Sequence, residues 1–278
     1  MLFAAALFVA MDSVAKYLGQ YYATSQLVWA RYSVHLLVLF GYLIVSKNLN
    51  RRTLISNAPL GQLLRGFLLL GSTAFSYLAV REFPLTQVYV INFSSPIIVT
   101  VFAIIILKEH VGLGRILAIL SGFLGVIVAI EPGRMFVEPA LIYPILMAVC
   151  FAFYQITTRH FGNQDSALTS LLYTAAAGGV VSTFLILFVW QPIAYTHIAY
   201  FLALGLLGAT SHFLLIMALR FAPASQVSPF LYSQILWATV SGYLFFGDLP
   251  DSSSFVGAAL VVGAGLYLIV WDRGSTTK

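Results

Sequence analysis

Residues 84–107 read PLTQVYVINFSSPIIVTVFAIIIL, and residues 223–246 read PASQVSPFLYSQILWATVSGYLFF. Each is long and apolar enough to cross a bilayer, which takes roughly 20 mostly apolar residues in a helix. The two stretches align without a gap at a shift of 139. Ala79, Arg81, Pro84, Gln87, Val88, Ser94, Thr100 and Val101 meet Ala218, Arg220, Pro223, Gln226, Val227, Ser233, Thr239 and Val240, eight identities within residues 79–101. Beyond them Glu109 meets Asp248. A shift of 143 sets Ala5, Phe8 and Gly19 on Ala148, Phe151 and Gly162, and Lys16 on Arg159. The chain therefore reads as two related halves, 1–130 and 138–271.

Eight more runs of the same character fill the remainder: 2–19, 25–46, 61–80, 112–130, 139–158, 167–190, 197–219 and 253–271. The expected fold is an all-α membrane protein of ten transmembrane helices, with connections too short for a soluble domain. Continuous apolar runs, rather than alternating ones, exclude outer-membrane strands. The first run lacks a basic leader and carries Asp12 and Lys16 inside it, so a true first helix is expected rather than a signal peptide. Five helices per half, an odd number, place the second copy upside down relative to the first. Such inverted repeats are typical of secondary transporters, with the solute site near the midplane.

Composition points the same way. Of the 278 residues, 60% are apolar and 8% charged, against about 45–50% and about 25% in a soluble domain. Mean hydropathy is +0.95. Such a chain cannot cover a water-facing surface, which excludes a soluble enzyme, a disordered chain and a nucleic-acid binder despite the net charge of +5. The basic excess is a topological signal. Placing the loop after 25–46 in the cytoplasm also puts Lys47, Arg51, Arg52, Arg65, Lys108, Arg115, Arg159, Arg220, Arg273 and Lys278 on that side, leaving Lys16, Arg81 and Arg134 towards the outside. Both termini are then cytoplasmic. The one cysteine, Cys150, rules out an internal disulfide. Neither a metal-ligand spacing nor a phosphate-binding glycine loop is present, so no cofactor is expected.

Several polar residues within the runs bear on transport. Pro96 and Pro229 each remove a backbone donor and would free the carbonyls of Asn92 and Ser225, which a water-lined cavity can satisfy. At 100° per residue, Tyr89, Asn92, Pro96 and Thr100 share one side, and Gln87 and Ser94 another. In the second copy Ser228, Tyr232, Thr239 and Tyr243 share one side, and Gln226, Ser233 and Trp237 another. The tyrosine side is expected to face the cavity, and the glutamine side to pack against neighbours. Tyr77, Tyr154, Tyr232 and Trp237 lie deep in their runs and suit an apolar pocket with polar tips. His212 is either a proton shuttle or a neutral core residue.

The stretch Asp12 to Lys16, then Gln26-Leu-Val-Trp29-Ala-Arg31-Tyr32, resembles the start of an EamA-type protein of the drug/metabolite transporter superfamily. So do Lys108-Glu109-His110, Gly122-Phe-Leu-Gly125 and Glu131-Pro132-Gly133. The second half departs from that pattern, with Gly247-Asp248-Leu249-Pro250 where a glutamate is more usual. The resemblance covers nearly the whole chain and implies a ten-helix inner-membrane carrier that exports small metabolites, often amino acids. The YddG-type amino-acid exporters are the first members it suggests.

The expected function is thus a secondary transporter, not an enzyme, exporting aromatic or other apolar amino acids or related metabolites by alternating access. Protons are a candidate coupling ion, and lipid is the remaining partner. A multidrug or nucleotide-sugar carrier is the alternative within the superfamily, and a structural assembly factor the alternative outside it. A charge at a helix centre costs about 2.5–3.5 kcal/mol on insertion scales, which singles out Asp12, Lys16 and Arg31. Asp12 and Lys16 lie four apart on one face and are expected to pair. With Arg31 nearby, one positive charge would be left over for a solute carboxylate, while Asp12 attracts an ammonium. A structural ion network between the first two helices is the competing expectation.

Overall fold

The structure, a computed structural model, describes residues 1–130, 138–248 and 252–275. Glu131, Pro132, Gly133, Arg134, Leu249, Pro250 and Lys278 lie outside the described residues, as do the side chains of Arg52, Arg115 and Arg273. Every regular element among the described residues is helical. The first half holds α1 (Leu2–Leu18), α2 (Thr24–Val45), α3 (Arg51–Leu54), α4 (Pro59–Glu82), α5 (Leu85–Asn92), α6 (Ser95–Ile106) and α7 (Leu113–Ile130). The second holds α8 (Ile142–Phe161), α9 (Ala167–Ile186), α10 (Ile198–Phe221), α11 (Ala224–Val227), α12 (Gln234–Ser241) and α13 (Ser252–Ser275).

Six segments are long and apolar enough to cross a membrane: Thr24–Val45, Pro59–Glu82, Leu85–Ile106, Pro139–Phe161, Ala167–Ile186 and Tyr195–Phe221. The other four apolar runs form α1, α7, α13 and, over 224–246, a string of short pieces. The 17 residues of α1 rise only about 25 Å at about 1.5 Å each, less than the roughly 30 Å hydrocarbon core.

Proline explains both breaks. Pro96 sits in the first turn of α6, where its missing N–H is harmless, so α5 stops at Asn92 and a new helix begins at Ser95. The outcome is two helices instead of one kinked helix. In the second half Pro229 opens a 3₁₀ stretch, Ser228–Ser233, before α12, and the chain then widens into a π turn, Gly242–Phe246. A 3₁₀ helix advances about 120° per residue instead of about 100°, so faces drawn from one uniform helix fail there. Tyr89, Asn92, Pro96 and Thr100 are all buried. Trp237 and Tyr243, however, are 46% and 57% exposed on the outer surface. Gln226 is exposed as well and is not packed between helices.

The bundle has two distinguishable ends. At the first, Met1 and Leu2 lie with Phe221 and Ala222, Arg220 donates to the Asp165 carbonyl at 3.0 Å, and Arg159 approaches Glu109. At the second, Lys16 meets Asp248, the Gln26 amide donates to the Gln191 carbonyl at 2.7 Å, and Tyr22 bonds His197 at 2.9 Å. Helix α1 therefore leads from the first end to the second, and α8 ends back at the first with Arg159 and Phe161. Between them lies one continuous core that includes Phe8, Tyr77, Tyr89, Phe93, Phe151, Tyr154 and Tyr232. Close approach needs small residues here: a Cβ on Gly178 would stand 2.5 Å from the Tyr32 ring.

Candidate solute site

A cavity of about 30 Å³ lies inside the bundle, lined by Phe8, Met11 and Asp12 of α1, Leu69, Ser72, Thr73 and Ser76 of α4, Tyr89 and Asn92 of α5, Met147 and Phe151 of α8, His212 of α10 and Gln234 of α12. That volume holds a water or two, since one water needs at least about 10–15 Å³. Both halves of the chain contribute to its walls.

Among the described residues, Asp12 is the one carboxylate on this lining. Its Oδ2 accepts from the Tyr89 hydroxyl at 2.6 Å and from Ser76 Oγ at 3.1 Å. Its Oδ1 is buried and has no hydrogen-bond partner, and the same is true of Asn92 Oδ1, Gln234 Oε1 and His212 Nδ1. Buried polar atoms are normally paired, and leaving one unpaired costs about 1–3 kcal/mol. Three lining residues with unpaired acceptor oxygens around one small space suit a group rich in donors. An ammonium, with three N–H donors, has that character. Apolar and aromatic walls complete the site: the His212 ring meets Phe8 edge-on at 4.8 Å and Tyr154 at 5.6 Å.

Of the residues singled out in the sequence, Asp12, Tyr89, Asn92 and His212 reach the cavity. Tyr77, Tyr154 and Tyr232 are buried with unpaired hydroxyls but do not line it, and Pro96 lies just beyond Asn92 at the helix break. Trp237 does not belong, because the 3₁₀ stretch turns it to the surface. Lys16 does not pair with Asp12. It reaches instead to Asp248, just after the π turn, at 2.8 Å and donates to the Phe83 carbonyl at 3.2 Å.

Arg31 is fully buried, donates to Thr73 Oγ1 at 2.6 Å and lies over the Tyr32 ring at 4.6 Å. It forms no direct ion pair with Asp12 among the described residues. With Lys16 taken by Asp248, the surplus positive charge expected near Asp12 disappears. Arg65, counted from the sequence among the cations on the cytoplasmic side, is buried too. It donates from Nε to Thr158 at 3.0 Å and from Nη1 to Gln62, and stacks on Tyr154 at 5.6 Å.

Gln62 in turn donates to Asp165 Oδ2 at 2.7 Å. Asp165, in the loop between α8 and α9, also receives Ser56 Oγ and the Asn57 backbone N–H at 2.7 Å. Burial pushes its carboxyl up, but the bonds from Ser56, Asn57 and Gln62 outweigh that and hold it below the usual carboxylate range.

The EamA-like transporter model matches residues 1–130 and 138–271. The chain belongs to the EamA-like transporter family. It is 27% identical to the S-adenosylmethionine uptake transporter of Rickettsia bellii (strain RML369-C), covering 97% of this chain and 91% of that one. The riboflavin transporter of Vibrio cholerae serotype O1 is 26% identical, over 100% and 94% of the two chains. A solved crystal structure shares the fold at a TM-score of 0.76 and 15% identity, covering 98% of this chain and 96% of that one. For an EamA-like chain the family accounts for transport in place of enzymatic activity, but the lining is this chain's own.

Ser72, Thr73, Ser76 and Gln234 escaped notice in the sequence. The first and third stand four apart in 61–80, a polar stripe at helical spacing that carried the needed signal. Gln234 gave none, because its direction depends on the 3₁₀ turn before it.

Proposed function

We propose that this protein is a secondary transporter for a small metabolite bearing an amino or other cationic group on a partly aromatic body, with S-adenosylmethionine as the first candidate. The observation that carries this reading is the set of unpaired acceptors, Asp12 Oδ1, Asn92 Oδ1 and Gln234 Oε1, on one cavity walled by Phe8, Phe151 and His212. The names of the Rickettsia relatives support both the solute and the inward direction. Riboflavin, named for the Vibrio relative, carries no cationic group and fits these acceptors less well.

Amino-acid export, the expectation from the resemblance, is the second reading, since an α-ammonium meets the same acceptors. Ten helices in two inverted five-helix repeats, 1–130 and 138–271, are part of the proposal. The opposite directions of α1 and α8 and the matched sequence pairs support it. So is an inner-membrane location with the first end, rich in Lys and Arg, in the cytoplasm. Asp12, as the acid on the cavity, is also where a coupling proton would bind.

Proteoliposomes loaded with unlabelled S-adenosylmethionine and offered the labelled compound test the solute. Exchange that competing S-adenosylmethionine suppresses, but riboflavin does not, is the expected result. Exchange of methionine or an aromatic amino acid alone would favour the second reading, and exchange of a lipophilic cation alone would reject both.

A further inference from the structure

Among the described residues two ion pairs cross between the halves of the chain, one at each end of the bundle. At the second end Lys16 of α1 meets Asp248 at 2.8 Å. At the first end Arg159 of α8 stands 3.8 Å from Glu109. These are the same pair twice over. The shift of 143 carries Lys16 onto Arg159, and the shift of 139 carries Glu109 onto Asp248.

The correspondence extends to the backbone. Lys16 also donates to the Phe83 carbonyl at 3.2 Å, at the C-terminus of α4. Arg159 donates to the Leu219 and Arg220 carbonyls at 2.9 and 3.1 Å, in the last turn of α10. Carbonyls at a helix C-terminus lack intrahelical partners and attract cations. Each base is therefore anchored on the helix end of its own half and free to release the acid of the other. The acids differ in holding. Glu109 also caps α11, accepting from the Ala224 and Ser225 N–H groups at 2.9 and 3.1 Å. Both pairs are closed here, and the small cavity lies in the bundle between them.

We propose that Lys16–Asp248 and Arg159–Glu109 are the two gates of the transport cycle, and that opening the cavity to one side of the membrane releases one pair while the other stays closed. A repeat inserted upside down supplies one such pair to each face, so the device needs no further element. The proposal rests on the transport reading but not on which solute is carried.

Sided labelling tests it in the full-length protein. In a Cys150→Ala background, Ser72→Cys places a single thiol on the cavity wall, and a charged, membrane-impermeant maleimide is added to either face of oriented vesicles. Asp248→Asn is expected to speed labelling about tenfold or more from the second end only, as a state populated at about 0.1–10% becomes a major one. Glu109→Gln is expected to do the same from the first end only. Lys16→Gln and Arg159→Gln read the same two gates should an acid variant fail to fold. Exchanging the charges, Lys16→Asp with Asp248→Lys, is expected to restore part of the slow parental rate, since a carboxylate at 16 cannot donate to the Phe83 carbonyl. Acceleration from the same face by both sets would overturn the proposal. So would folded variants that lose thermal stability with no sided change in labelling, which is the outcome of a purely structural role.

Discussion

Replacing Asp165 by Asn tests the knot that ties α4 to the loop before α9. The carboxylate accepts from Ser56 Oγ and Gln62 Nε2 on one oxygen, and from the Asn57 backbone and side-chain nitrogens on the other, at 2.7 and 3.2 Å. Asparagine must turn a donor towards one of those sets. On the Asn57 side it meets two N–H groups. On the other side it meets Gln62, which cannot flip without giving up the bond its Oε1 accepts from Arg65.

Asp165 is only 7% exposed, so water does not repair the loss. A hydrogen bond to a charged group is worth about 1.5–3 kcal/mol, and the expected destabilisation is about 2–3 kcal/mol. At about 2–4 °C per kcal/mol for a chain of this size, the melting temperature in detergent should fall by about 4–12 °C. The pH dependence has a fixed sign. Because the folded state holds this carboxyl below its unfolded value of about 3.9, its contribution is complete above that value and is lost as pH falls through the folded one. The gap between wild type and variant should stay constant from about pH 7 to 5 and narrow below about pH 4. An unchanged melting temperature, or a gap as wide at pH 3.5 as at pH 7, would refute the reasoning.

Three other substitutions separate transport from folding. Asn92→Leu removes a buried amide whose oxygen has no partner and should leave thermal stability equal or slightly higher while slowing transport about tenfold, the equivalent of about 1.4 kcal/mol; flux and melting curves on one preparation check both. Trp237→Leu, on the outer surface, should change neither flux nor stability beyond about 0.5 kcal/mol, and a loss of transport would put that residue back on the solute path. Gly178→Val drives a side chain into the Tyr32 ring and should cost about 1–3 kcal/mol, seen as a lower melting temperature and reduced yield.

Composition and hydropathy alone determined that this chain lives in a membrane, because 8% charged residues cannot cover a surface in water. Helical spacing placed Tyr89 and Asn92 on a common buried side, and that held because the α5–α6 break falls after both of them. Depth in its run put Trp237 wrongly in the pocket, and the spacing that set it with Gln226 and Ser233 on a packed side failed as well, since a proline-started 3₁₀ stretch changes the angle per residue and nothing in the apolar pattern marks where the change begins. The partner of Asp12 was out of reach for a related reason. Four residues along one helix is a distance that sequence can count, and it pointed to Lys16. Tertiary packing brought Tyr89 and Ser76 to Asp12 from α5 and α4, and brought Asp248 to Lys16 from the far half of the chain. Ionisable groups in a low-dielectric interior take the nearest well-aligned partner, and which partner is nearest is settled by how helices distant in sequence pack, not by their spacing along one of them.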